Sequence, residues 1–168
     1  LLRETGLAIT EDLVDRLRRA HVSAYKALAG RIRPLPGARD LLAALSEAGI
    51  RWAIATSGRK ETACLTLETL GVDPQRIPVV TRDEVMRAKP DPDLFIAAAA
   101  RLGAPIETAF VVGDSIWDML AAVRGRALGI GLLSGGYGAD ELRQSGAIRV
   151  YEDPADLLLH LDEVGGRS

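Results

Sequence analysis

The sequence predicts a doubly wound α/β fold, in which helices cover both faces of a mostly parallel sheet. Short apolar segments alternate with segments of helical period along most of the chain. The apolar segments carry hydrophobic residues at consecutive positions, which is typical of strands buried on both faces. Gly or Pro stands between most neighbouring segments, as expected for the connections between strands and helices.

Two helices are predicted before the first strand. Thr10 precedes two acidic residues and has the pattern of an N-cap, which predicts a helix from residue 11 to about residue 28. The Pro- and Gly-rich residues 34–37 then interrupt the pattern, and we interpret them as a domain boundary. A second helix is predicted over residues 39–48, with Gly49 as its C-cap.

The remainder of the chain alternates strictly between the two kinds of element. We expect strands over residues 50–55, 77–80, 109–112, 128–133 and 148–151. We expect helices over residues 60–70, 93–102, 117–123, 140–144 and 154–161. This order predicts parallel strands joined by crossover helices.

The composition is that of an ordinary globular protein. The chain has 168 residues, 48% of them hydrophobic and 26% charged, with a net charge of -2. The nearly balanced charge gives no indication of nucleic-acid or membrane-surface binding, and no apolar run approaches the roughly 20 residues that span a bilayer. The single cysteine, Cys64, excludes an intrachain disulfide and fits a cytoplasmic protein. Because it lies in a helical apolar pattern, we expect it in the core.

Three short stretches place polar side chains at one edge of the predicted sheet. Thr56 follows the first predicted strand, and Asp114 follows the third. Because the carboxyl ends of parallel strands meet at the same edge, both should face one crevice. Lys89 precedes a helix in the crossover between the second and third strands and can reach that edge as well.

The acidic pair Asp114 and Asp118 has a spacing that suits a cation. Gly113 lets the chain turn tightly after the strand, so both carboxylates can face one point in the opening turn of a helix. Mg²⁺ usually keeps several waters and takes one or two carboxylates. The same pattern also fits a helix cap at Asp114 and a favourable first-turn acid at Asp118.

Lys89 and residues 56–58 supply features that suit an anion. Prolines on the C-terminal side hold Lys89 in a rigid turn, where an ammonium can neutralise a phosphoryl oxygen or pair with a carboxylate. Thr56, Ser57 and Gly58 offer a hydroxyl and backbone N–H groups at a helix N-terminus. Taken singly, the two features also fit a surface lysine and a plain N-cap.

In this order, the three stretches resemble the haloacid dehalogenase superfamily of phosphohydrolases, in particular its phosphoglycolate-phosphatase-like branch with a helical cap. Residues 53–58 resemble the second motif, residues 89–92 the third and residues 113–118 the fourth. Residues 135–138 resemble the glycine-rich loop that follows in this branch. The resemblance covers residues 34–168 and implies a Rossmann-like core there, with residues 1–33 as the C-terminal part of a cap domain.

The resemblance implies a Mg²⁺-dependent phosphatase that acts on a small phosphorylated metabolite, with phosphoglycolate as the leading expectation. In the family, an aspartate attacks phosphorus and forms an aspartyl-phosphate, which water hydrolyses. Thr56, with Ser57 and Gly58, would bind the phosphoryl oxygens. Lys89 would stabilise the charge shared by nucleophile and phosphate. Asp114 would bind Mg²⁺, and Asp118 would hold either the metal's water shell or Lys89.

The nucleophile that the resemblance implies is not among the 168 residues. The family's first motif is Asp-x-Asp after an apolar strand, whereas the Asp-x-Asp of residues 91–93 follows a turn. In the family, that strand lies between the strands that end here at Thr56 and Asp114. The chain also opens without Met. We therefore expect an earlier start in the natural protein, no direct pairing of those two strands, and no turnover by this chain alone.

Several alternatives remain open or are disfavoured. A dehalogenase of the same superfamily needs no metal and lacks the first acid of the fourth motif, which is present here as Asp114. A sugar phosphomutase shares the motifs, and a non-catalytic relative is left open because the nucleophile is unseen. A response-regulator receiver has its acid pair first and its lysine last, whereas here the order is Thr56, Lys89 and then the acid pair. Residues 129–134 lack the third glycine of a dinucleotide-binding loop.

Overall fold

Seven α-helices and five parallel strands form within residues 10–165, the part of the chain that the computed structural model describes. The helices are α1 (Glu11–Leu28), α2 (Ala38–Glu47), α3 (Lys60–Leu70), α4 (Asp93–Arg101), α5 (Ile116–Gly125), α6 (Ala139–Gln144) and α7 (Pro154–Leu159). The strands are β1 (Ile54–Ala55), β2 (Val79–Val80), β3 (Phe110–Gly113), β4 (Leu128–Leu132) and β5 (Ala147–Tyr151). The predicted α/β class and the predicted order of elements are confirmed.

Local signals in the sequence set the ends of several helices. The Thr10 hydroxyl accepts the N–H of Leu13 at 3.2 Å, so Thr10 is the N-cap of α1 as predicted. Gly71 follows α3 with a φ of 72°, a left-handed conformation that glycine adopts without strain. The Asp153 carboxylate accepts the N–H groups of Ala155 and Asp156 and starts α7.

The strands form two parallel ladders that are not joined to each other. β1 pairs with β2, Ile54 opposite Val79, while β3, β4 and β5 form a separate ladder in that order. Between residues 10 and 165, no ladder hydrogen bonds connect β1 to β3. The expectation that these two strands are not directly paired is confirmed. β1 and β2 are also shorter than predicted, with two residues each.

One of the two faces of β3 is partly exposed to solvent. Val111 is 6% exposed, whereas Phe110 and Val112 on the opposite face are 43% and 46% exposed. Val112 lies opposite Ile130 of β4 and shares its face, yet Ile130 is completely buried. The prediction of strands buried on both faces is therefore wrong for β3, because the helices on this face cover β4 and β5 instead.

Two apolar clusters lie on opposite faces of the β3–β4–β5 ladder. One joins α2 and α7 to the ladder and contains Leu41, Ile130, Leu132, Tyr151 and Leu157. The other lies under α4 and α5 and contains Phe95, Val111, Ala121, Ala122 and Ala127, with Ala55 of β1 packed against it. Because Ala55 contacts the same cluster as Val111, β1 and β3 share a core although they do not share a ladder.

Helix α1 lies on the outside of α3 and has no buried residue. Tyr25 and Thr66 share a hydrogen bond of 2.7 Å between their hydroxyl groups, and Lys26 forms an ion pair with Glu61 at 2.5 Å. Cys64 of α3 is exposed, so its predicted place in the core is wrong. The buried face of α3 is formed by Thr62, Ala63 and Leu67.

No helix within the described residues is both long enough and apolar enough to cross a membrane.

Candidate active site

A capping box between Ser115 and Asp118 follows the carboxyl end of β3 and begins α5. The Asp118 carboxylate accepts the Ser115 N–H at 3.1 Å and the Ser115 hydroxyl at 2.6 Å, and the Asp118 N–H donates to the Ser115 hydroxyl at 3.3 Å. Ser115 is thus the N-cap of α5, and Asp118 is its reciprocal partner. Because Ser115 takes the capping role, Asp114 is not used as a helix cap.

Lys89 forms a buried ion pair with Asp118. Its Nζ lies 2.5 Å from Asp118 Oδ1, and the two side chains are only 17% and 7% exposed. The same ammonium lies 5.9 Å from the centre of the Phe95 ring. The Lys89–Pro90 peptide bond is cis, and Arg124 donates to the Pro90 carbonyl at 3.2 Å. These contacts exclude the interpretation of Lys89 as a surface lysine.

Two glycines leave room for the acidic pair. A Cβ atom on Gly113 would lie 2.5 Å from the Asp118 Cβ, and one on Gly135 would lie 2.0 Å from the Asp114 carbonyl oxygen. Neither distance is possible for a real side chain, so both positions require glycine. Gly135 belongs to the glycine-rich loop noted in the sequence, and its contact with Asp114 explains why that loop lies beside the site.

The acids fit a partial cation site. Both Asp118 oxygens are occupied, one by Lys89 and the other by Ser115, so its contacts favour the role of holding Lys89. The Asp114 carboxylate accepts no hydrogen bond from any side chain or backbone group within residues 10–165, which leaves it available to a cation. The same residues contain no group of three or more His, Cys, Asp or Glu that could hold a metal alone. Asp114 thus fits one position in a Mg²⁺ shell, and further ligands must come from elsewhere.

The residues after β1 form a compact turn. The Thr56 N–H donates to the Val80 carbonyl at 2.9 Å, and the Thr56 hydroxyl oxygen accepts the Gly58 N–H at 3.0 Å. The hydroxyl proton of Thr56 is then free to point at an anion, because a hydroxyl can accept and donate at once. Ser57 is exposed at the tip of the turn. We name residues 56–58 the cradle.

Asp83 braces the cradle and was not identified from the sequence. Its carboxylate accepts the Lys60 N–H at 2.9 Å and forms an ion pair with Arg59, and the neighbouring Arg82 N–H donates to the Gly58 carbonyl at 3.1 Å. The signal that could have located this segment is the capping box that begins at Thr81. The long-range contact with α3 has no local signal.

The predicted site residues form two groups in the structure. Lys89, Asp118 and Asp114 lie together at the end of β3, and the cradle lies at the end of β1. In the described part of the chain, no hydrogen bond or ion pair links the two groups. They are related through the shared apolar cluster, since Ala55 precedes the cradle, Phe95 lies under Lys89 and Val111 belongs to β3.

Several known proteins resemble this chain in sequence. The sequence profile of the family described as haloacid dehalogenase-like hydrolase matches residues 2–125. A phosphoglycolate phosphatase of Rhodospirillum rubrum is 32% identical over 158 residues, which cover 90% of this chain and 65% of that protein. Another, from Agrobacterium fabrum, is 33% identical over 135 residues, which cover 80% of this chain and 57% of that protein. The chain thus spans less than two thirds of the length of these two curated relatives.

A solved structure matches more closely. The crystal structure of a hydrolase from Pseudomonas syringae superimposes with a TM-score of 0.93 at 54% sequence identity, covering 96% of this chain and 74% of that one. The resemblance inferred from residues 53–58, 89–92 and 113–118 is confirmed by the profile and by this fold match. Since the family profile covers well over half of its length, the chain belongs to the haloacid dehalogenase-like hydrolases.

Proposed function

We propose that this chain forms most of a cytoplasmic, Mg²⁺-dependent phosphatase that hydrolyses a small phosphorylated metabolite, with phosphoglycolate as the leading substrate. The observation that carries the proposal is the buried Lys89–Asp118 pair, 2.5 Å long, which holds an ammonium in the first turn after β3, the segment that also carries Asp114. An ammonium held in this way is suited to stabilise charge that develops on a phosphoryl group. The two phosphoglycolate phosphatases among the relatives support the choice of substrate.

The proposed reaction has two steps. An aspartate from outside these 168 residues attacks phosphorus, the bond between phosphorus and the ester oxygen breaks, and a general acid protonates the leaving oxygen. Water then attacks the aspartyl-phosphate, which releases inorganic phosphate and restores the carboxylate. Both the nucleophile and the general acid are proposed to come from a segment that this sequence does not contain.

The residues of this chain would bind and orient the phosphoryl group. The Thr56 hydroxyl and the Ser57 N–H donate to its oxygens, since the N–H groups of Thr56 and Gly58 already bond within the protein. Lys89 neutralises the charge shared with the nucleophile. Asp118 holds Lys89 in place through its own bonds to Ser115. Asp114 would hold Mg²⁺, which would neutralise charge on the phosphoryl oxygens when bound.

The gap between β1 and β3 supports the proposal that the segment carrying the nucleophile lies between these two strands. β3 has one unpaired edge and two half-exposed apolar side chains, Phe110 and Val112, beside that gap. A parallel strand inserted there would cover these side chains and form hydrogen bonds with the unpaired edges of β1 and β3. It would end between the cradle and Asp114. Residues 1–33 are proposed to be the end of a cap domain that covers the site.

The metal role is tested by Asp114→Asn in the complete protein. We expect phosphatase activity to fall at least about 100-fold, since the amide keeps the shape but loses the charge that attracts the cation. The matched control is Asp140→Asn, an exposed aspartate on α6 that should keep full activity. Retained Mg²⁺-dependent turnover in Asp114→Asn would refute the proposed metal role.

Three further measurements test the related alternatives and the place of the nucleophile. A chelator should abolish activity of the complete protein, whereas metal-independent dehalogenation would identify a dehalogenase. The 168-residue chain alone should release no phosphate from phosphoglycolate. Turnover by that chain would show that the nucleophile lies within it. A substrate profile that favours transfer of phosphate between sugar hydroxyls would instead indicate a phosphomutase.

A further inference from the structure

Lys89 lies in a loop that belongs to no helix or strand. This loop precedes α4, and we name its residues 87–92 the lysine loop. Within it, the Asp91 N–H donates to the Ala88 carbonyl at 3.0 Å. A lysine side chain has a flexible four-carbon stem, so a fixed ammonium requires a fixed backbone as well as a partner at its tip. Asp118 holds the tip, and other groups must hold the backbone of the loop.

Asp93, the first residue of α4, closes the lysine loop. Its carboxylate accepts the backbone N–H of Arg87 at 3.1 Å and the Arg87 guanidinium at 3.3 Å. The Asp93 side chain is only 19% exposed, so its carboxylate is largely covered. These bonds join the two sides of the loop across Lys89. Because Phe95 of the same helix lies 5.9 Å from the ammonium, they also fix the loop relative to that ring.

Asp91 provides an internal comparison with Asp93. It also pairs with Arg87, at 3.5 Å, but its side chain is 35% exposed. Among the described residues, no backbone N–H donates to its carboxylate. An exposed ion pair of this kind contributes little to stability. The two aspartates therefore share a charge and a partner, and they differ in the bond that Asp93 makes to the loop backbone.

Helix α5 holds the lysine loop from another side. Arg124 donates to the Pro90 carbonyl at 3.2 Å. A Cβ atom on Gly125 would lie 3.2 Å from the Pro92 Cβ, so the backbone of α5 lies close to the end of the loop. The same helix carries Asp118, which holds the tip of the lysine. The loop is therefore fixed between α4 and α5.

We propose that Asp93 is a positioning residue, which fixes the backbone of the lysine loop so that the Lys89 ammonium meets the transferring phosphoryl group. The proposal rests on the proposed function, because it concerns the residue that stabilises phosphoryl charge there. Asp93 acts through Lys89, since its own carboxylate is bonded to Arg87. A displacement of about 1 Å in an active site can lower a rate by about 100-fold. Loss of the loop contact therefore lowers turnover while the protein stays folded.

The first test measures kcat/KM of the complete protein for the hydrolysis of 2-phosphoglycolate. We expect Asp93→Ala to lower kcat/KM at least about tenfold, because the ammonium is displaced. Asp93→Asn keeps an oxygen that can accept the Arg87 N–H, so it should recover most of this loss. Asp91→Ala is the matched control, because it removes the other aspartate that pairs with Arg87, and it should keep the natural kcat/KM.

Lys89→Met separates positioning from a general loss of folded protein. If Asp93 acts through Lys89, adding Asp93→Ala to Lys89→Met should cost little further kcat/KM, since residues that act as a unit are not additive. A merely structural role would lower kcat/KM by the same factor in both backgrounds. That result would overturn the proposal, as would natural kcat/KM in Asp93→Ala or no recovery in Asp93→Asn.

A second test does not depend on catalysis. Urea denaturation of the complete protein measures how much unfolding free energy Lys89→Met removes, with Asp93 present and in the Asp93→Ala background. We expect a smaller loss in Asp93→Ala, because a displaced lysine pairs less well with Asp118. Equal losses would contradict positioning by Asp93. If phosphatase activity is absent, or unchanged by Lys89→Met, the proposed function fails, and this comparison still decides whether Asp93 positions the lysine.

Discussion

The two halves of the candidate site are held in place by different means. The half at the end of β3 belongs to a three-stranded ladder, and its ion pair between Lys89 and Asp118 is buried. The half at the end of β1 follows a two-residue strand with a single partner, and its cradle depends on the exposed ion pair of Arg59 with Asp83. Burial holds one half in place, and an ion pair and hydrogen bonds near the surface hold the other.

This difference fits the proposed roles of the two halves. A Lys89 ammonium that neutralises charge acts most strongly where water is excluded, since electrostatic interactions are stronger there. In its proposed role, the cradle must leave the Thr56 hydroxyl and the Ser57 N–H open to an incoming anion, so it cannot be buried in advance. We therefore expect substitutions at the end of β3 to cost more stability than comparable substitutions around the cradle.

Asp118→Ala should produce the largest effect. It leaves the buried ammonium of Lys89 without its partner, for which we expect a loss of about 3 kcal/mol in the free energy of unfolding. Chemical denaturation measures this directly. Arg143→Ala breaks the exposed pair with Asp140 and serves as the control, with an expected change below about 1 kcal/mol. Equal losses of unfolding free energy in both variants would contradict the interpretation that burial of the Lys89–Asp118 pair stabilises this half.

Gly113→Ala should cause the second-largest loss of stability. The added methyl group would lie within 2.5 Å of the Asp118 Cβ, which forces Asp118 or the strand end to move. Overpacking of this kind costs about 1–3 kcal/mol. Gly30→Ala is the matched control, because a Cβ there meets nothing within 4 Å. A thermal unfolding midpoint that is the same in both variants would show that β3 tolerates the displacement.

Asp83→Ala tests the cradle half. It removes the acceptor of the Lys60 N–H and the partner of Arg59, and we expect a loss of about 1 kcal/mol, as for a helix cap. The Lys60 amide should also exchange its hydrogen faster with solvent. Asp140→Ala, which removes an exposed aspartate outside the cradle, should change neither quantity. A loss as large as that of Asp118→Ala would remove the contrast between the two halves.

The smallest effect concerns pH and the loop beside the cradle. The Arg101 guanidinium, which bonds to Glu84, is the main reason that the pKa of Glu84 lies below its ordinary value of 4.5. A lowered pKa in the folded state stabilises the protein above about pH 4.5, and this contribution is lost as the pH falls through the folded-state value. The stability difference between the natural chain and Glu84→Gln should therefore shrink from pH 7 to pH 3.

Arg101→Gln provides the control for this pH effect. In that background, the difference caused by Glu84→Gln should depend less on pH, because the main cause of the lowered pKa is gone while the hydrogen bonds from Thr81 remain. Urea denaturation at pH 7, 5 and 3 gives the comparison. A difference that stays constant with pH in the natural background would contradict a role for the charged form of Glu84.

Much of the fold could be predicted because its signals are local. The N-cap at Thr10, the C-terminal glycine at Gly71 and the apolar segment around β3 each depend on neighbouring residues only. The predicted helices over residues 60–70 and 93–102 agree with α3 and α4 within one residue. The lengths of β1 and β2 were overestimated because strand length depends on pairing with another strand, and only two residue pairs form between them.

The sequence proposed the residues of the candidate site, but most of their contacts could not be predicted. Lys89 and Asp118 were expected near each other, and the structure joins them across 29 positions of the chain. Asp83 was missed because its role depends on α3, 23 positions earlier at the Lys60 N–H. Cys64 was misplaced because an apolar pattern on a helix does not say which of its sides the core will cover.

The sequence by itself determined the order of strands and helices, the family and the identity of the polar residues at the strand ends. These features depend on residue type, spacing and short-range hydrogen bonds, which are present in the chain before it folds. Only the tertiary structure decided that Asp118 holds Lys89, that Asp83 braces the cradle, and that β1 and β3 share a core without sharing a ladder. Those outcomes depend on contacts between distant segments, whose free energies exist only when the elements pack together.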